Sequence, residues 1–215
     1  MKRLLATLCI WLCAAAALAQ WVQMPSPRRA SQHAGYLGDI VSRVGSPGTY
    51  MDADLVTSAH ECTHDINSDL RQTAGAGMNC CYVLNGWSAR LREPKVTLRE
   101  IAAKVPLDKR GRGFQLYMVV QRRDWDNEPL YILDELSAYL NGATVAAELK
   151  IPDRFRDSYQ SSVEFIGYAD ILAQSVPADY DAEPLRKVIA FQKIRCGLLL
   201  AYGKKQGWFS QGGVP

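Results

Sequence analysis

The stretch His60-Glu61-Cys62-Thr63-His64 carries two histidines four residues apart, with a glutamate directly after the first. Residues four apart lie on the same face of an α-helix, so both imidazoles would point in one direction. Apolar side chains around the stretch recur at steps of three and four residues, as in an amphipathic helix; they are Leu55, Val56, Ala59, Ile66 and Leu70. We therefore predict a helix from about Asp54 to Gln72, capped by Asp52 or Asp54.

Two histidines and a glutamate at this spacing predict a zinc site. On a helix, H-E-x-x-H lets two imidazole nitrogens bind one Zn²⁺ at about 2.0–2.1 Å, with the glutamate beside the metal as a general base. The alternative is a surface helix that happens to carry two histidines, and the regular helical pattern around the motif weighs against it. We expect His60 and His64 to be metal ligands and Glu61 to take a proton from water.

A catalytic zinc ion usually has three protein ligands, so the two histidines need a third partner. The only other histidine, His33, lies in a loop-like stretch, and the three-histidine pattern H-E-x-x-H-x-x-G-x-x-H is not met here. Among the carboxylates, Glu135 is favoured because it lies among leucines on a predicted helix, where an unpaired carboxylate would be costly. The alternatives are Glu148, Glu128 and Asp170.

Two tyrosines lie one helical turn from Glu135 and could donate a hydrogen bond to the oxyanion formed in amide hydrolysis. They are Tyr131 and Tyr139. Tyr139 is slightly favoured, and half-buried helix tyrosines without a catalytic role are the alternative. Asp65 could orient a ligand histidine or could be a solvent-facing charge, and Asp134 is expected at the helix surface.

The combination of H-E-x-x-H on one helix and E-x-x-A on a later one resembles the gluzincin group of zinc metallopeptidases. The stretch Glu135-Leu136-Ser137-Ala138 is also similar to the glutamate helix of the anthrax lethal factor-like peptidases. The resemblance covers only these two helices. It implies one catalytic Zn²⁺ held by His60, His64 and Glu135, with Glu61 as general base and a protein or peptide as substrate.

The first nineteen residues have a composition of their own. Two basic residues precede an apolar run, Leu4 to Ala17, and Ala17-Leu18-Ala19 has the form of a cleavage site. The run is shorter than the roughly 18–20 residues that span a bilayer, so a secretory signal peptide is favoured over a membrane anchor. We expect cleavage after Ala19, a secreted or periplasmic protein, and no stable membrane insertion afterwards.

The charge of the remaining chain favours some partners over others. The formal net charge is +3 for the whole sequence, and removal of the signal peptide lowers it to about +1. A nearly neutral chain implies neither a nucleic acid nor an anionic membrane as partner, and the basic clusters Arg90 to Lys95 and Lys109 to Arg112 are interpreted as solvated turns. With 48% hydrophobic residues, 20–215 can form one core, so we predict a single zinc metallopeptidase-like domain.

Four cysteines follow the predicted signal peptide: Cys62, Cys80, Cys81 and Cys196. In an oxidising compartment they permit disulfides, with three possible full pairings. On the predicted helix Cys62 should point away from the metal into the core, where Cys196 could meet it. The adjacent pair Cys80-Cys81 lacks the C-x₂-C spacing of a structural zinc site.

The periodicity along the chain predicts an α+β fold, a mostly helical zincin-like domain with a small antiparallel sheet. Asn79 to Leu91, with Asn85-Gly86 at its centre, predicts a β-hairpin with a type I′ turn. Phe114 to Gln121 is apolar and β-prone and is predicted as a strand, which could bind an extended peptide at a sheet edge. Further helices are predicted at Thr97–Val105 with a capping box, Leu130–Lys150, Asp157–Gln174 and Glu183–Lys205, with a short one around Tyr36 to Val44.

These observations favour a secreted zinc-dependent metallopeptidase. One alternative is a zinc-dependent amide hydrolase that acts on cell-wall material, since the zinc chemistry of amide cleavage is shared. The other is a non-catalytic secreted binding protein on a zincin fold, against which the intact Glu61 argues. The sequence carries no signal for an oligomeric state.

Overall fold

The computed structural model describes residues 21–28, 30–45 and 54–209. Within them the fold is α+β and mostly helical, with one small antiparallel sheet, which confirms the predicted fold class. The predicted signal peptide, 1–19, lies outside the described residues. None of the helices in the described part of the chain is long and apolar enough to cross a membrane.

The three strands of the sheet lie in the first half of the described chain, and three long helices form its C-terminal part. In chain order the elements are β1 (Trp21–Gln23), α1 (Gly35–Val41), α2 (Leu55–Ala74), β2 (Met78–Tyr82), β3 (Trp87–Arg92), α3 (Leu98–Lys104), a 3₁₀ turn (Leu107–Lys109), a π-helix (Phe114–Val120), α4 (Arg122–Trp125), α5 (Tyr131–Leu149), α6 (Pro152–Ser175) and α7 (Glu183–Lys205).

Helix α2 carries the H-E-x-x-H stretch, as predicted. Its N-terminal cap is Asp54, whose carboxylate accepts hydrogen bonds from the backbone N–H groups of Val56 and Thr57. These bonds satisfy two of the donors that every helix N-terminus leaves open. The helix ends at Ala74, before Gly75 with φ 95°. The capping box on Thr97 and Glu100 that begins α3 is also confirmed.

Helix α5 is the centre of the fold and packs against α2, α6 and α7. Leu133, Leu136 and Leu140 are fully buried on it, and the helix is buried on nearly every face. The packing of α5 against α2 places the two helices that carry the predicted metal ligands side by side.

The sheet has the strand order β1-β3-β2, and both pairs are antiparallel. Strands β2 and β3 form the predicted hairpin. At its tip the Trp87 N–H donates to the Leu84 carbonyl at 3.1 Å, and Asn85 and Gly86 have φ of 52° and 75°. Positive φ at both central residues is what a type I′ turn requires, so the Asn-Gly prediction is confirmed.

The predicted strand Phe114 to Gln121 is wrong, because these residues form the π-helix. The Gln121 N–H donates to the carbonyl of Leu116, five residues earlier, and Phe114 and Met118 are buried on one side. The Glu164 carboxylate of α6 accepts hydrogen bonds from the backbone N–H groups of Gly113 and Phe114, which holds the start of the helix. Tertiary contacts therefore override the β-propensity of the segment. The predicted binding of a peptide by strand addition at this segment is also wrong, because it requires a strand.

Helix α6 begins at Pro152, five residues before the predicted start at Asp157. Proline occupies the first turn, where its missing N–H costs nothing and its fixed φ suits the helix. The prediction treated this proline as a separator. Helices α5 and α7 begin and end within one residue of their predicted bounds, and α2 ends two residues after its predicted end at Gln72.

The core divides into two main hydrophobic clusters. The larger lies between α5, α6 and α7, and the smaller lies between α1, α2 and β2. Cys62 belongs to the smaller cluster and Cys196 to the larger, and no disulfide joins any two of the four cysteines in the part of the chain that the structure describes. Cys62 is buried as predicted, but its suggested pairing with Cys196 is not formed because the two lie in separate clusters.

Candidate metal centre

The structure brings together the three side chains that the sequence predicts as zinc ligands. His60 and His64 project from α2, and Glu135 projects from the facing surface of α5. The two Nε2 atoms are 3.0 Å apart, and the Glu135 oxygens lie 3.6 Å from His60 Nε2 and 3.5 Å from His64 Nε2. Within the described residues this is the one group of three His, Cys, Asp or Glu side chains so arranged.

The separations between the histidine nitrogens and the nearest Glu135 oxygens, 3.0 to 3.6 Å, are close to those between the ligand atoms of a tetrahedral zinc ion. Ligand atoms 2.0–2.1 Å from such an ion are separated from one another by about 3.3–3.4 Å. Glu135 Oε2 is also buried without a hydrogen-bond donor, and its side chain is only 3% exposed. A buried carboxylate oxygen without a partner is costly, and a cation between the three side chains would satisfy it. The residues present therefore fit a zinc ion.

Asp134 fixes the orientation of His64. Its Oδ1 accepts a hydrogen bond from His64 Nδ1 at 2.7 Å, which leaves the Nε2 lone pair directed at the site. Asn67 and Arg71 donate to the same carboxylate at 2.7 and 3.1 Å. Asp134 is 1% exposed, so its predicted surface position is wrong. Asp65, the predicted candidate for this role, is exposed to solvent.

The pKa values of the two histidines are shifted in opposite directions. Burial, together with the neighbouring His64, lowers the pKa of His60 to about 4, against the opposing effect of Glu135 and Asp134. For His64, burial also favours the neutral form, but Asp134 and Glu135 prevail and raise its pKa well above the usual value. His64 therefore holds a proton because the carboxylates of Asp134 and Glu135 are close to it. A metal cation at the site would compete with this proton for His64.

Glu61 lies at the edge of the centre, beside a cleft of about 1130 Å³ that His60 and Tyr139 also line. Burial raises the pKa of its carboxyl, and the nearby Glu135 raises it further, while His64 acts in the opposite direction. A raised carboxyl pKa brings a general base closer to neutral pH, where proton transfer is most efficient. The side chain next to the ligands also faces the space that a substrate would occupy.

The two candidate tyrosines have different surroundings. The Tyr131 hydroxyl donates to Glu135 Oε1 at 2.5 Å and thereby positions the proposed ligand. The Tyr139 ring packs edge-on against His60, with centroids 4.5 Å apart, and its hydroxyl lies 2.8 Å from the Tyr117 hydroxyl. Burial raises the pKa of both phenols, so both remain proton donors. Of the two, Tyr139 borders the cleft and has its hydroxyl outside the ligand set.

Several residues of the site were not predicted from the sequence. Asn67 and Arg71 continue the helical face of His60 and His64 at steps of three and four residues, and this polar stripe is a signal that could have revealed them. Trp125 stacks on Tyr131 with centroids 4.3 Å apart. Tyr117 was missed because its segment was predicted to be a strand.

The other candidates for the third ligand serve elsewhere. Glu148 accepts a hydrogen bond from the Tyr36 N–H near the start of α1. Asp170 forms an ion pair with Lys193 at 2.6 Å, and Glu128 is exposed. None of them, nor His33, belongs to the group at His60 within the described residues.

Comparison with known proteins adds no relative. No protein-family model, no curated protein and no solved structure matches this chain. The site itself therefore provides the evidence for function.

Proposed function

We propose that this protein is a secreted zinc metallopeptidase that hydrolyses peptide bonds. The single observation that carries the proposal is the buried Glu135 carboxylate, whose unpaired Oε2 lies 3.6 Å from His60 Nε2 and whose Oε1 lies 3.5 Å from His64 Nε2. A glutamate positioned as a base stands directly beside this centre. The resemblance to gluzincins, which rests on the same residues, gives the reaction class, and the predicted signal peptide gives the location.

Zinc bound by these residues would supply a Lewis acid that polarises the scissile carbonyl and lowers the pKa of a coordinated water to about 7. The chain itself would supply the proton transfers. Glu61 would accept the proton of the attacking water and deliver it to the leaving amine. Tyr139, held at Tyr117, would donate a hydrogen bond to the developing oxyanion.

The neighbours of the ligands keep them in position for this chemistry. Asp134 holds the tautomer of His64 that presents Nε2, and Tyr131 holds one oxygen of Glu135. Because these orientations are fixed in advance, little has to reorganise when a substrate arrives. The cleft beside Glu61 has room for several residues of an extended peptide.

The test is hydrolysis of a peptide library by the zinc-loaded protein and by Glu61→Gln. The wild type is expected to cleave peptides, to lose activity with a chelator and to regain it with zinc. Glu61→Gln should bind zinc equally well and lose about 10²–10⁴-fold in rate. Full activity of Glu61→Gln with zinc bound would contradict the role of the base. Cleavage of cell-wall peptides but of no ordinary peptide would favour the alternative amide hydrolase, and zinc binding without any hydrolysis would favour a binding protein.

A further inference from the structure

One segment of the surface combines exposed apolar side chains with a high positive charge. The segment 104–123, which we call the rim segment, runs from the end of α3 through the π-helix into α4. It contains six basic residues and one acidic residue; the basic ones are Lys104, Lys109, Arg110, Arg112, Arg122 and Arg123. Since the chain without its predicted signal peptide is nearly neutral, this segment concentrates positive charge that the rest of the surface does not carry.

The apolar side chains of the rim segment protrude into solvent. In the described part of the chain six large hydrophobic side chains are exposed, and four of them belong to this segment; they are Leu107, Leu116, Val119 and Val120. Leu107 is 80% exposed and Val120 60%. The opposite side of the π-helix, with Phe114 and Met118, is buried in the core, so the exposed side is presented by a fixed helix.

The cations around these side chains are mostly exposed, and at least two of them are without an ion-pair partner among the described residues. Five of the six are exposed, and within the described residues neither Lys109 nor Arg112 forms an ion pair. Arg110 lies over the Phe114 ring with its guanidinium carbon 4.6 Å from the centroid. Aliphatic side chains that protrude between lysines and arginines fit the boundary between anionic headgroups and acyl chains.

We propose that the rim segment docks this protein peripherally on membranes that carry anionic phospholipids. A protein partner fits less well, because the exposed apolar side chains of the segment are Leu and Val, which are under-represented in protein hot spots. Long basic side chains can reach the headgroups while their aliphatic parts lie against the apolar layer. From the sequence, the nearly neutral net charge predicts no anionic membrane partner, and Lys109 to Arg112 is interpreted as a solvated turn; the structure adds the exposed apolar side chains beside these cations.

Docking would orient the candidate active site. Lys104, Lys109, Arg110 and Leu116 of the rim segment also line the cleft that contains His60 and Glu61. The mouth of the cleft would therefore face the lipid surface, and peptide segments close to that surface would be its substrates. This last step rests on the proposed peptidase function, whereas the docking itself does not.

The experiment is co-sedimentation with vesicles of phosphatidylcholine alone or mixed equally with phosphatidylglycerol. The chain from Gln20 is used, since all described elements lie within 21–209 and the apolar N-terminal run would itself bind lipid. We expect binding to the phosphatidylglycerol vesicles that is at least about tenfold stronger than to phosphatidylcholine alone and that weakens with salt.

Substitutions separate the rim segment from the rest of the surface. Leu107→Asp and Val120→Asp should each weaken vesicle binding about tenfold or more, and Lys109→Glu at least about fivefold. The matched controls Ile194→Asp and Lys205→Glu, which are also exposed, should bind like the wild type. Circular dichroism and thermal unfolding check that each variant is folded.

The proposal is overturned if the wild type does not bind phosphatidylglycerol vesicles, or if the controls lose binding equally. It is also overturned if Leu107→Asp instead abolishes a dimer seen in sedimentation while vesicles are not bound, since the segment would then be a contact between two copies. Zinc content and cleavage of soluble peptides should be unchanged in Leu107→Asp, which lies outside the cleft lining. Failure of docking is thereby distinguished from failure of the peptidase function.

Discussion

Asp134 shows how a single buried side chain determines the state of the candidate centre. It accepts hydrogen bonds from His64, Asn67 and Arg71, all three from the same face of α2. A carboxylate bonded to the far nitrogen of a ligand histidine fixes its tautomer and raises its basicity. The Asp134 carboxylate also raises the pKa of His64, so His64 holds a proton when no metal is bound. Zinc and this proton therefore compete for the His64 ring.

Replacement of Asp134 should therefore weaken metal binding. We expect Asp134→Asn to lower zinc affinity about 10–100-fold, because the ring of His64 loses its charged acceptor. Competition titration with a zinc chelator measures the effect. Asp65→Asn is the matched control on the exposed side and should leave the affinity unchanged. Equal affinities of wild type and Asp134→Asn would contradict the positioning role.

The two tyrosines should give opposite results when each loses its hydroxyl. Tyr139→Phe is expected to retain zinc and to lower kcat about 10²–10³-fold, the cost of removing an oxyanion donor. Tyr131→Phe removes the hydrogen bond to Glu135 and should act mainly on zinc affinity. Zinc titration and peptide hydrolysis on both variants make the comparison. A Tyr139→Phe enzyme with the kcat of the wild type would show that another group stabilises the oxyanion.

At the scale of elements, a polar network inside the core holds α2, α5 and α7 together. Asn141 of α5 donates to Thr63 Oγ1 of α2 at 3.1 Å and accepts from Arg195 of α7 at 2.7 Å. Arg195 is 4% exposed, and burial lowers the pKa of its guanidinium to about 10, so it remains charged at neutral pH. Its described side-chain acceptors are the amide oxygens of Asn141 and Gln192.

Loss of the central amide should destabilise the fold. Asn141→Leu leaves the buried charge of Arg195 with one acceptor fewer, and we expect the free energy of unfolding to fall by about 2–3 kcal/mol. Urea denaturation measures it. Thr144→Val on the same helix removes only a hydroxyl bonded to its own helix and should cost under about 1 kcal/mol. Equal losses in the two variants would argue against the network.

Some elements of this fold are determined by residues that are close in sequence, and others by contacts with distant residues. The caps at Asp54 and Thr97, the Asn85-Gly86 turn and the helical periodicities depend on neighbouring residues, and they were predicted correctly. The π-helix could not be predicted, because its start is held by Glu164 from a helix fifty residues later. The grouping of Glu135 with His60 and His64 was predicted from ligand chemistry. The role of Asp134 in orienting His64 was not predicted, because an amphipathic pattern predicts one exposed face on α5, whereas the helix is buried on nearly every face.

At the scale of the whole molecule, Glu93 connects the sheet to the central helix. Its carboxylate accepts hydrogen bonds from the Asn79 side chain at 2.8 Å and from the Leu130 N–H at 3.1 Å. Burial raises the pKa of Glu93 from 4.5 to about 7. Between these two pH values the folded chain holds a proton that the unfolded chain has released, so stability is full below pH 4.5 and falls as the pH rises to about 7.

Glu93→Gln should remove this pH dependence, because the amide resembles the protonated acid. Relative to the variant, we expect the wild type to lose up to roughly 3 kcal/mol between about pH 4.5 and 7.5. Urea denaturation at several pH values measures the difference. Glu183→Gln, at an exposed position that does not act on the pKa of Glu93, should follow the wild type. Parallel curves for wild type and Glu93→Gln would contradict a raised pKa at this position.

Zinc content tests whether His60, His64 and Glu135 hold a zinc ion. After zinc loading and extensive dialysis, elemental mass spectrometry should find one zinc ion per wild-type chain. His60→Ala and Glu135→Ala should retain almost none, while His33→Ala, with its histidine outside the group, should retain one. A wild-type protein without zinc, or a Glu135→Ala variant that retains it at full occupancy and affinity, would contradict a zinc site at these three residues.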